Sequence, residues 1–287
     1  MFLANLLIAL REGLEAALIV SIIVAYLVKA DRRDALPKLW GGVALAALIP
    51  LIVGAILTWG PKTLTFQAQE ILGGSLSFIA VGLVTWMIFW MGKNARELKG
   101  EIEGSLSRTL SAGSSGWGVV WIAVIAVGRE GVETALFVWA TVRSSIENST
   151  MQTTLGVLTG LLIAIVLGVL LYQGAVRINF RVFFAVTGYF LVLVAAGIVA
   201  YGVGDFQEAG VLPGIMNHAW DLSAHLPGTT SPLHWLYVLL QAMFQFNLQP
   251  TVLQVVGWIL YIVPVLVLLT IQIQGPRRRP EAKAAAG

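Results

Sequence analysis

Long apolar runs separated by short polar segments make up most of the chain. Seven runs reach the roughly 20 residues that a helix needs to cross a bilayer. They cover residues 2–28, 40–58, 66–91, 118–141, 154–175, 182–202 and 251–273. Each run is too long for a strand of a membrane barrel, and none shows the strict alternation of one. The pattern therefore predicts an all-α integral membrane protein with seven transmembrane helices in the lipid bilayer.

The composition agrees with this class of protein. Of the 287 residues 57% are hydrophobic and 11% are charged, whereas soluble domains carry roughly 25% charged residues. The absence of cysteine excludes disulfides, thiolate metal sites and cysteine nucleophiles. The first apolar run is longer than the apolar core of a typical signal peptide, and its basic residues follow it, so we expect a retained helix. The net charge of +3 requires no nucleic-acid partner.

Lysine and arginine are distributed unevenly between the two sides of the predicted spans. Of the 18 basic residues, 14 follow the first, third, fifth and seventh runs, which all end on the same side. The opposite side carries only Lys62 and Arg143, and two further arginines lie within spans. Because cytoplasmic loops are enriched in basic residues, we expect the N-terminus outside and the C-terminus in the cytoplasm, with the protein in the cytoplasmic (inner) membrane.

A five-residue motif, Arg-Glu-Gly-x-Glu, occurs twice inside apolar runs. It reads REGLE at 11–15 and REGVE at 129–133, an offset of 118 residues (129 minus 11). At this offset the first three runs align with the fourth to sixth. Three is an odd number of spans, so the second unit must be inverted in the membrane, as in many secondary transporters. We therefore divide the chain into a first three-helix repeat (1–92), a cytoplasmic linker (93–117), a second, inverted three-helix repeat (118–202), an extracytoplasmic loop segment (203–250), a seventh helix (251–273) and a basic cytoplasmic tail (274–287).

Each motif places two carboxylates and one arginine on the same helix face. At about 100° per residue, Glu12 and Glu15 are about 60° apart, and Arg11 is one turn before Glu15. Both motifs lie about a dozen residues into their spans, and ionised groups near the bilayer centre cost several kcal/mol unless they are paired or hydrated. We therefore expect the two motifs to face each other or a water-filled path.

Carboxylate oxygens are hard ligands that suit Ca²⁺, Mg²⁺, Mn²⁺ and, by the same argument, Fe³⁺. Neither motif contains histidine or cysteine, which disfavours Zn²⁺ and Cu⁺. Two other interpretations remain open at this point. The glutamates could relay protons, or each arginine could form a purely structural ion pair with the second glutamate of its motif, although that would leave Glu12 and Glu130 unpaired.

The doubled motif, on the first and fourth of seven spans, resembles the high-affinity ferric iron permeases. These include the oxidase-dependent iron transporters of fungi and the EfeU-type bacterial iron permeases. The segments WMIFWMGKN and DFQEAGVLP also resemble features of that family, and the resemblance covers essentially the whole chain. It implies Fe³⁺ as the transported substrate, no permanently bound cofactor, and an extracytoplasmic partner that delivers iron, such as an oxidase or peroxidase. By resemblance, the metal ligands are Glu12, Glu15, Glu130 and Glu133, supported by Arg11 and Arg129.

Acidic residues outnumber basic residues on the outward side, and an acidic mouth concentrates cations. Glu70, Asp205 and Glu208 are the candidates for an entrance site, with ordinary solvated loop charge as the alternative. The resemblance favours Glu70 and Glu208, but Gly73 occupies the position where relatives often carry a second glutamate. We expect the outward histidines to form hydrogen bonds in loops rather than to bind metal, because their spacing is not that of ligands; they are His218, His225 and His234.

Two connecting segments have their own predicted character. The apolar stretch HWLYVLLQAMFQFNL within 203–250 suggests a short interfacial helix. The linker 93–117 alternates acidic and basic residues and contains glycine and serine, so we expect a flexible cytoplasmic connector.

Other functions remain open on sequence grounds. The cation could be lead or manganese, and transport could be coupled to protons. An intramembrane enzyme could use paired glutamates as acid and base, but the chain lacks H-E-x-x-H, G-x-S-x-G and any cysteine. It also lacks the phosphate-binding motif G-x-x-x-x-G-K-[ST], so this chain is not expected to use ATP. The sequence predicts a permease rather than an enzyme. It does not indicate an oligomeric state.

Overall fold

The computed structural model describes residues 2–94, 98–111, 117–143, 150–174, 179–222, 240–241 and 246–274. Within these ranges the chain forms eight α-helices and two short 3₁₀ turns, and the only extended pairing is an isolated bridge between His218 and Thr251. The helices are α1 (Phe2–Lys29), α2 (Leu36–Trp59), α3 (Phe66–Asn94), α4 (Leu98–Ser111), α5 (Trp117–Arg143), α6 (Thr150–Tyr172), α7 (Phe180–Glu208) and α8 (Val252–Gln274).

Five of these helices, α2, α3, α6, α7 and α8, are long and apolar enough to cross a membrane. Helices α1 and α5 are similar in length, with 28 and 27 residues, but each carries one of the two charged motifs. The chain is therefore an all-helical, multi-pass membrane protein. Large apolar side chains are exposed along α2, α6 and α8, as expected for helices whose outer surface is in contact with lipid.

The four helices α1, α3, α5 and α7 form the interior of the bundle. Helix α1 packs along α6, α2 packs along α5, and α3 packs along α7, which also contacts α8. Helices α1 and α5 cross in antiparallel directions. Ile8 of α1 shares an apolar cluster with Phe137 of α5, whereas Leu27 near the other end of α1 clusters with Val119 of α5.

Two glycines permit the close approach of the outer helices to α1 and α5. A Cβ atom at Gly42 of α2 would lie 2.9 Å from the carbonyl oxygen of Val120, and one at Gly160 of α6 would overlap the carbonyl oxygen of Leu6. Small residues at such positions let membrane helices pack backbone to backbone. The two glycines are 118 residues apart (160 minus 42), which equals the offset between the motifs.

Helix α7 extends further than the apolar run predicts. The prediction ended this span at residue 202, but the helix continues to Glu208. Gly210, two residues later, adopts the left-handed conformation with a φ of +74°. The amides of Gly210 and Val211 donate to the carbonyls of Gln207 and Phe206, which is the Schellman pattern of helix termination. Asp205 and Glu208 therefore lie on a helix and not in the predicted loop.

The predicted flexible linker contains helix α4. Ile102 and Leu106 are one helical turn apart and both are buried. They pack against the end of α1 and the start of α5, in the cluster that includes Leu27 and Val119. The expectation of a flexible connector was therefore wrong for Leu98–Ser111, because two apolar residues at helical spacing give this polar segment a face to bury.

Candidate metal centre

The crossing of α1 and α5 buries the four glutamates of both motifs and the first of the two arginines. Arg11 and Glu12 are each only 1% exposed, and Glu15, Glu130 and Glu133 are also buried. Burying an ionised carboxylate carries a large free-energy cost unless another group compensates its charge. The partners of each carboxylate therefore decide what this part of the molecule can do.

Three glutamates converge at the crossing. Glu12 of α1 and Glu130 and Glu133 of α5 each present one carboxylate oxygen, and these oxygens lie within 4.8 Å of one another. We call these three residues the carboxylate centre. It combines ligands from both motifs, and its oxygens are close enough together for a single cation to contact all three. An oxygen-only set of this kind suits a hard cation.

The fourth motif glutamate has a different partner. Glu15 pairs with Arg11, one turn before it on α1, with 3.4 Å between Arg11 Nε and Glu15 Oε1. Glu15 therefore lies outside the group of three converging oxygens and pairs with its predicted supporting arginine.

The second arginine pairs with a member of the carboxylate centre. Arg129 Nε donates a hydrogen bond to Glu133 Oε1 at 3.0 Å. The Arg129 side chain is 49% exposed, whereas that of Arg11 is 1% exposed. Each guanidinium also lies near an aromatic ring, Arg11 over Phe184 and Arg129 over Trp90, which stabilises a cation further.

Glu12 is the least compensated carboxylate of the set. Both of its carboxylate oxygens are buried and have no well-formed hydrogen bond to any residue that the structure describes. Glu133 Oε2 is in the same condition. Buried polar atoms normally have a partner, so the centre has unused ligand capacity directed at the space between α1 and α5.

A second charged cluster joins the ends of three helices. Arg143, the last residue of α5, contacts Glu70 of α3 through Nη2 at 3.1 and 3.2 Å, and its Nε lies 3.6 Å from Asp205 Oδ2 of α7. Two of the three predicted entrance residues are thus brought together. The third, Glu208, is exposed one turn after Asp205. We call Glu70, Arg143 and Asp205 the terminal triad.

Sequence reasoning missed the role of Arg143, which it treated only as a background positive charge. A signal was present, since Arg143 is one of just two basic residues on the predicted outward side. Of the three histidines, His218 is exposed and its backbone pairs with Thr251, and it is not part of the group of possible metal ligands found among the described residues. His225, His234 and most of the predicted interfacial helix lie outside the described residues.

The chain is similar to known proteins over most of its length. The family described as "Iron permease FTR1 family" matches residues 2–275. The ferrous iron permease EfeU of Escherichia coli O157:H7 is 38% identical over 263 residues, which cover 91% of this chain and 92% of that protein. The ferrous iron permease EfeU of Yersinia pestis is 34% identical over 263 residues, 91% of each chain. No solved structure is a significant match.

Proposed function

The chain belongs to the iron permease FTR1 family, and on this premise we propose that it imports iron across the cytoplasmic membrane with Fe³⁺ as the ion carried. The observation that carries the proposal is the convergence of Glu12, Glu130 and Glu133 between α1 and α5. Three buried carboxylates from two distant motifs repel one another when they are ionised, and a cation bound between them would remove that repulsion.

In this proposal all four motif glutamates form the iron site. Glu12, Glu130 and Glu133 supply the first oxygens, and Glu15 remains close by on Arg11 as a further ligand. The four carboxylates and two guanidiniums carry a formal charge of −2 when all are ionised. Arg11 and Arg129 keep the empty site partly neutralised, and the bound ion supplies the positive charge that the site still lacks.

The proposed oxidation state of the ion rests on the family resemblance and is compatible with the ligand set. Carboxylate oxygens without histidine or cysteine are a hard donor set, which favours Fe³⁺ over the softer Fe²⁺. Fe²⁺ is the second candidate, because the relatives from Escherichia coli and Yersinia pestis are named ferrous iron permeases. Both ions fit an oxygen-lined site, so transport measurements have to compare them directly.

The proposed architecture has seven transmembrane helices arranged as two inverted three-helix repeats (1–92 and 118–202) and a seventh helix. The helix pairing supports it. If α1, α2 and α3 of the first repeat correspond to α5, α6 and α7 of the second, the contact of α1 with α6 corresponds to that of α5 with α2. The contacts of α1 with α5 and of α3 with α7 each join corresponding helices. Gly42 and Gly160 occupy equivalent positions in the two outer pairs. Rearrangement of one repeat against the other would then open the site to each side in turn.

The proposed orientation places the N-terminus outside and the C-terminus in the cytoplasm, on the basis of the positive-inside bias. The terminal triad then lies at the outer end of the bundle, where Glu70, Asp205 and Glu208 form the entrance. An extracytoplasmic oxidase, peroxidase or other iron-delivery protein would dock at this end. The membrane potential favours import, because three charges crossing 100 mV gain about 7 kcal/mol.

Radio-iron uptake into proteoliposomes of the purified protein tests this function. Fe³⁺ and Fe²⁺ are compared under an imposed potential, with the variant Glu12→Gln/Glu130→Gln and the control Asp34→Asn, an exposed carboxylate paired with Arg32. The proposal predicts saturable Fe³⁺ uptake that the double variant abolishes and the control retains. Uptake of Fe²⁺ alone would favour the second candidate. Equal uptake by wild type and the folded double variant would overturn the proposed site.

A further inference from the structure

The terminal triad already contains one positively charged group, the guanidinium of Arg143. The guanidinium of Arg143 lies between two carboxylates from different helices, Glu70 of α3 and Asp205 of α7. Two negative charges therefore share one positive charge, which leaves the cluster with an excess of one negative charge when all three groups are ionised. The side chain of Arg143 is 21% exposed and that of Asp205 is 3% exposed, so water compensates this excess only partly.

The contact between Arg143 and Asp205 is incomplete. The distance of 3.6 Å between Nε and Oδ2 is too long for a hydrogen bond. Neither of these two buried atoms forms a well-aligned hydrogen bond in the described part of the chain, although the Asp205 carboxyl group also contacts Glu70 and the hydroxyl of Tyr201. A structural ion pair at this burial normally satisfies its donors and acceptors. The Asp205 oxygen is instead available to a cation that binds it more closely than the guanidinium does.

The surroundings of Arg143 allow it to leave this position. Its guanidinium lies 5.8 Å from the centre of the Trp139 ring, and the Trp139 indole is fixed by a 3.0 Å hydrogen bond to the carbonyl of Leu57. An arginine that loses its carboxylates can therefore still rest against an aromatic face. Gly73 provides the space for the present position, because a Cβ atom there would lie 2.5 Å from Arg143 Nε and 2.6 Å from Asp205 Oδ2.

We propose that Arg143 is a displaceable counter-ion, and that an incoming multivalent cation takes its position between Glu70 and Asp205. This inference rests on the proposed permease function and concerns how the entrance selects its ion. A divalent or trivalent cation with a preference for carboxylates outcompetes a single guanidinium charge. A monovalent ion such as Na⁺ gains no charge advantage over the arginine, so the exchange excludes it.

The position of Arg143 also links the entrance to the carboxylate centre. Arg143 is ten residues after Glu133 on the same helix, which corresponds to about 15 Å at 1.5 Å per residue. Phe137 and Ala140 lie between them and are buried. An ion that has displaced Arg143 is therefore one apolar layer away from the centre, on the helix that supplies two of its ligands.

Binding of Tb³⁺, a hard trivalent cation with a luminescent signal, tests the exchange in the full-length protein in detergent. The background variant Glu12→Gln/Glu130→Gln disables the carboxylate centre, so that the entrance dominates the signal. Adding Arg143→Gln should lower the Kd for Tb³⁺ by about tenfold or more, because a unit charge competing within about 4 Å is removed. Adding Glu70→Gln and Asp205→Asn to that variant should abolish the gain. An unchanged or higher Kd in folded Arg143→Gln would overturn the proposal.

A further measurement uses the native charges. In the wild-type protein, Tb³⁺ should accelerate modification of Arg143 by phenylglyoxal, followed by mass spectrometry, because the displaced side chain becomes accessible. Slower or unchanged modification would contradict the exchange. Since these readouts are made in detergent, an inactive but Tb³⁺-responsive protein would count against the permease function and not against the exchange.

Discussion

Glu12 and Glu130 present carboxylate oxygens within 4.8 Å of each other, although 118 residues separate them in the chain. They are equivalent positions of the two motifs, and the antiparallel crossing of α1 and α5 brings them together. Glu133 completes the group, whereas Glu15 is held by Arg11. Glu15 and Glu133 each pair with the arginine one turn before them, but only Glu133 also belongs to the carboxylate centre. This difference between equivalent residues makes the following predictions specific.

Neutralising Glu12 and neutralising Glu15 should have opposite effects on stability. Glu12 has no well-formed hydrogen-bond partner, so Glu12→Gln removes an uncompensated buried charge and should leave the melting temperature unchanged or raise it. Glu15→Gln leaves Arg11 buried without its carboxylate, which costs about 3–5 kcal/mol for a broken buried pair. Thermal unfolding of the two variants in the same detergent compares them. A larger loss of stability in Glu12→Gln would contradict the assigned pairing.

The two motif arginines should also differ in importance for the fold. Arg129 is half-exposed, whereas Arg11 is almost fully buried, so Arg129→Gln, which leaves Glu133 without its hydrogen-bond partner, should lower stability by less than Arg11→Gln does. Arg11→Gln removes the partner of buried Glu15 and should be several times more damaging. Denaturant or thermal melts of both variants measure this ratio. Equal losses in the two variants would contradict this prediction and would show that Arg129 is effectively as buried as Arg11.

Adjacent glycines on α2 provide a matched pair for testing the packing against α5. A Cβ atom at Gly42 would meet the Val120 carbonyl, whereas one at Gly41 would meet nothing within 4 Å. Gly41→Ala should therefore gain up to about 1 kcal/mol from helix propensity. Gly42→Ala should destabilise the protein and reduce iron uptake, because it separates α2 from α5. The prediction fails if both substitutions stabilise the protein.

Helix α4 should be a structural part of the bundle and not a passive connection. Leu106 is fully buried against α1 and α5, so Leu106→Ala should cost about 2–5 kcal/mol. Arg108→Ala, on the exposed side of the same helix, is the control and should change stability by less than about 0.5 kcal/mol. Limited proteolysis between residues 98 and 111 offers an independent readout, with faster cleavage expected only in Leu106→Ala.

Much of this arrangement could be predicted from local patterns. The apolar runs located the seven long helices among the described residues, and the motifs were expected to face each other or a water-filled path, because buried charges cost free energy unless they are paired or hydrated. The extension of α7 was missed because Gly202, Gly204 and Asp205 interrupt the apolar run. Gly210 was the available signal for the true end of the helix.

The terminal triad and helix α4 were harder to predict, for different reasons. Glu70, Arg143 and Asp205 come from three helices, and their contact depends on helix packing that no local pattern encodes. In α4 the polar composition of the segment concealed two apolar residues, Ile102 and Leu106, that are one turn apart. The asymmetry between Arg11 and Arg129 depends equally on tertiary burial, since their local sequences are nearly the same.

The central claim is that a single iron ion is held jointly by the two motifs. Crystals of the iron-loaded protein, measured at the iron absorption edge, locate the ion directly through its anomalous scattering. The account predicts a peak between α1 and α5, within coordination distance of the carboxylates of Glu12, Glu130 and Glu133. It also predicts that the peak disappears in Glu12→Gln/Glu130→Gln. A well-ordered iron peak elsewhere, with none between these carboxylates, would contradict it.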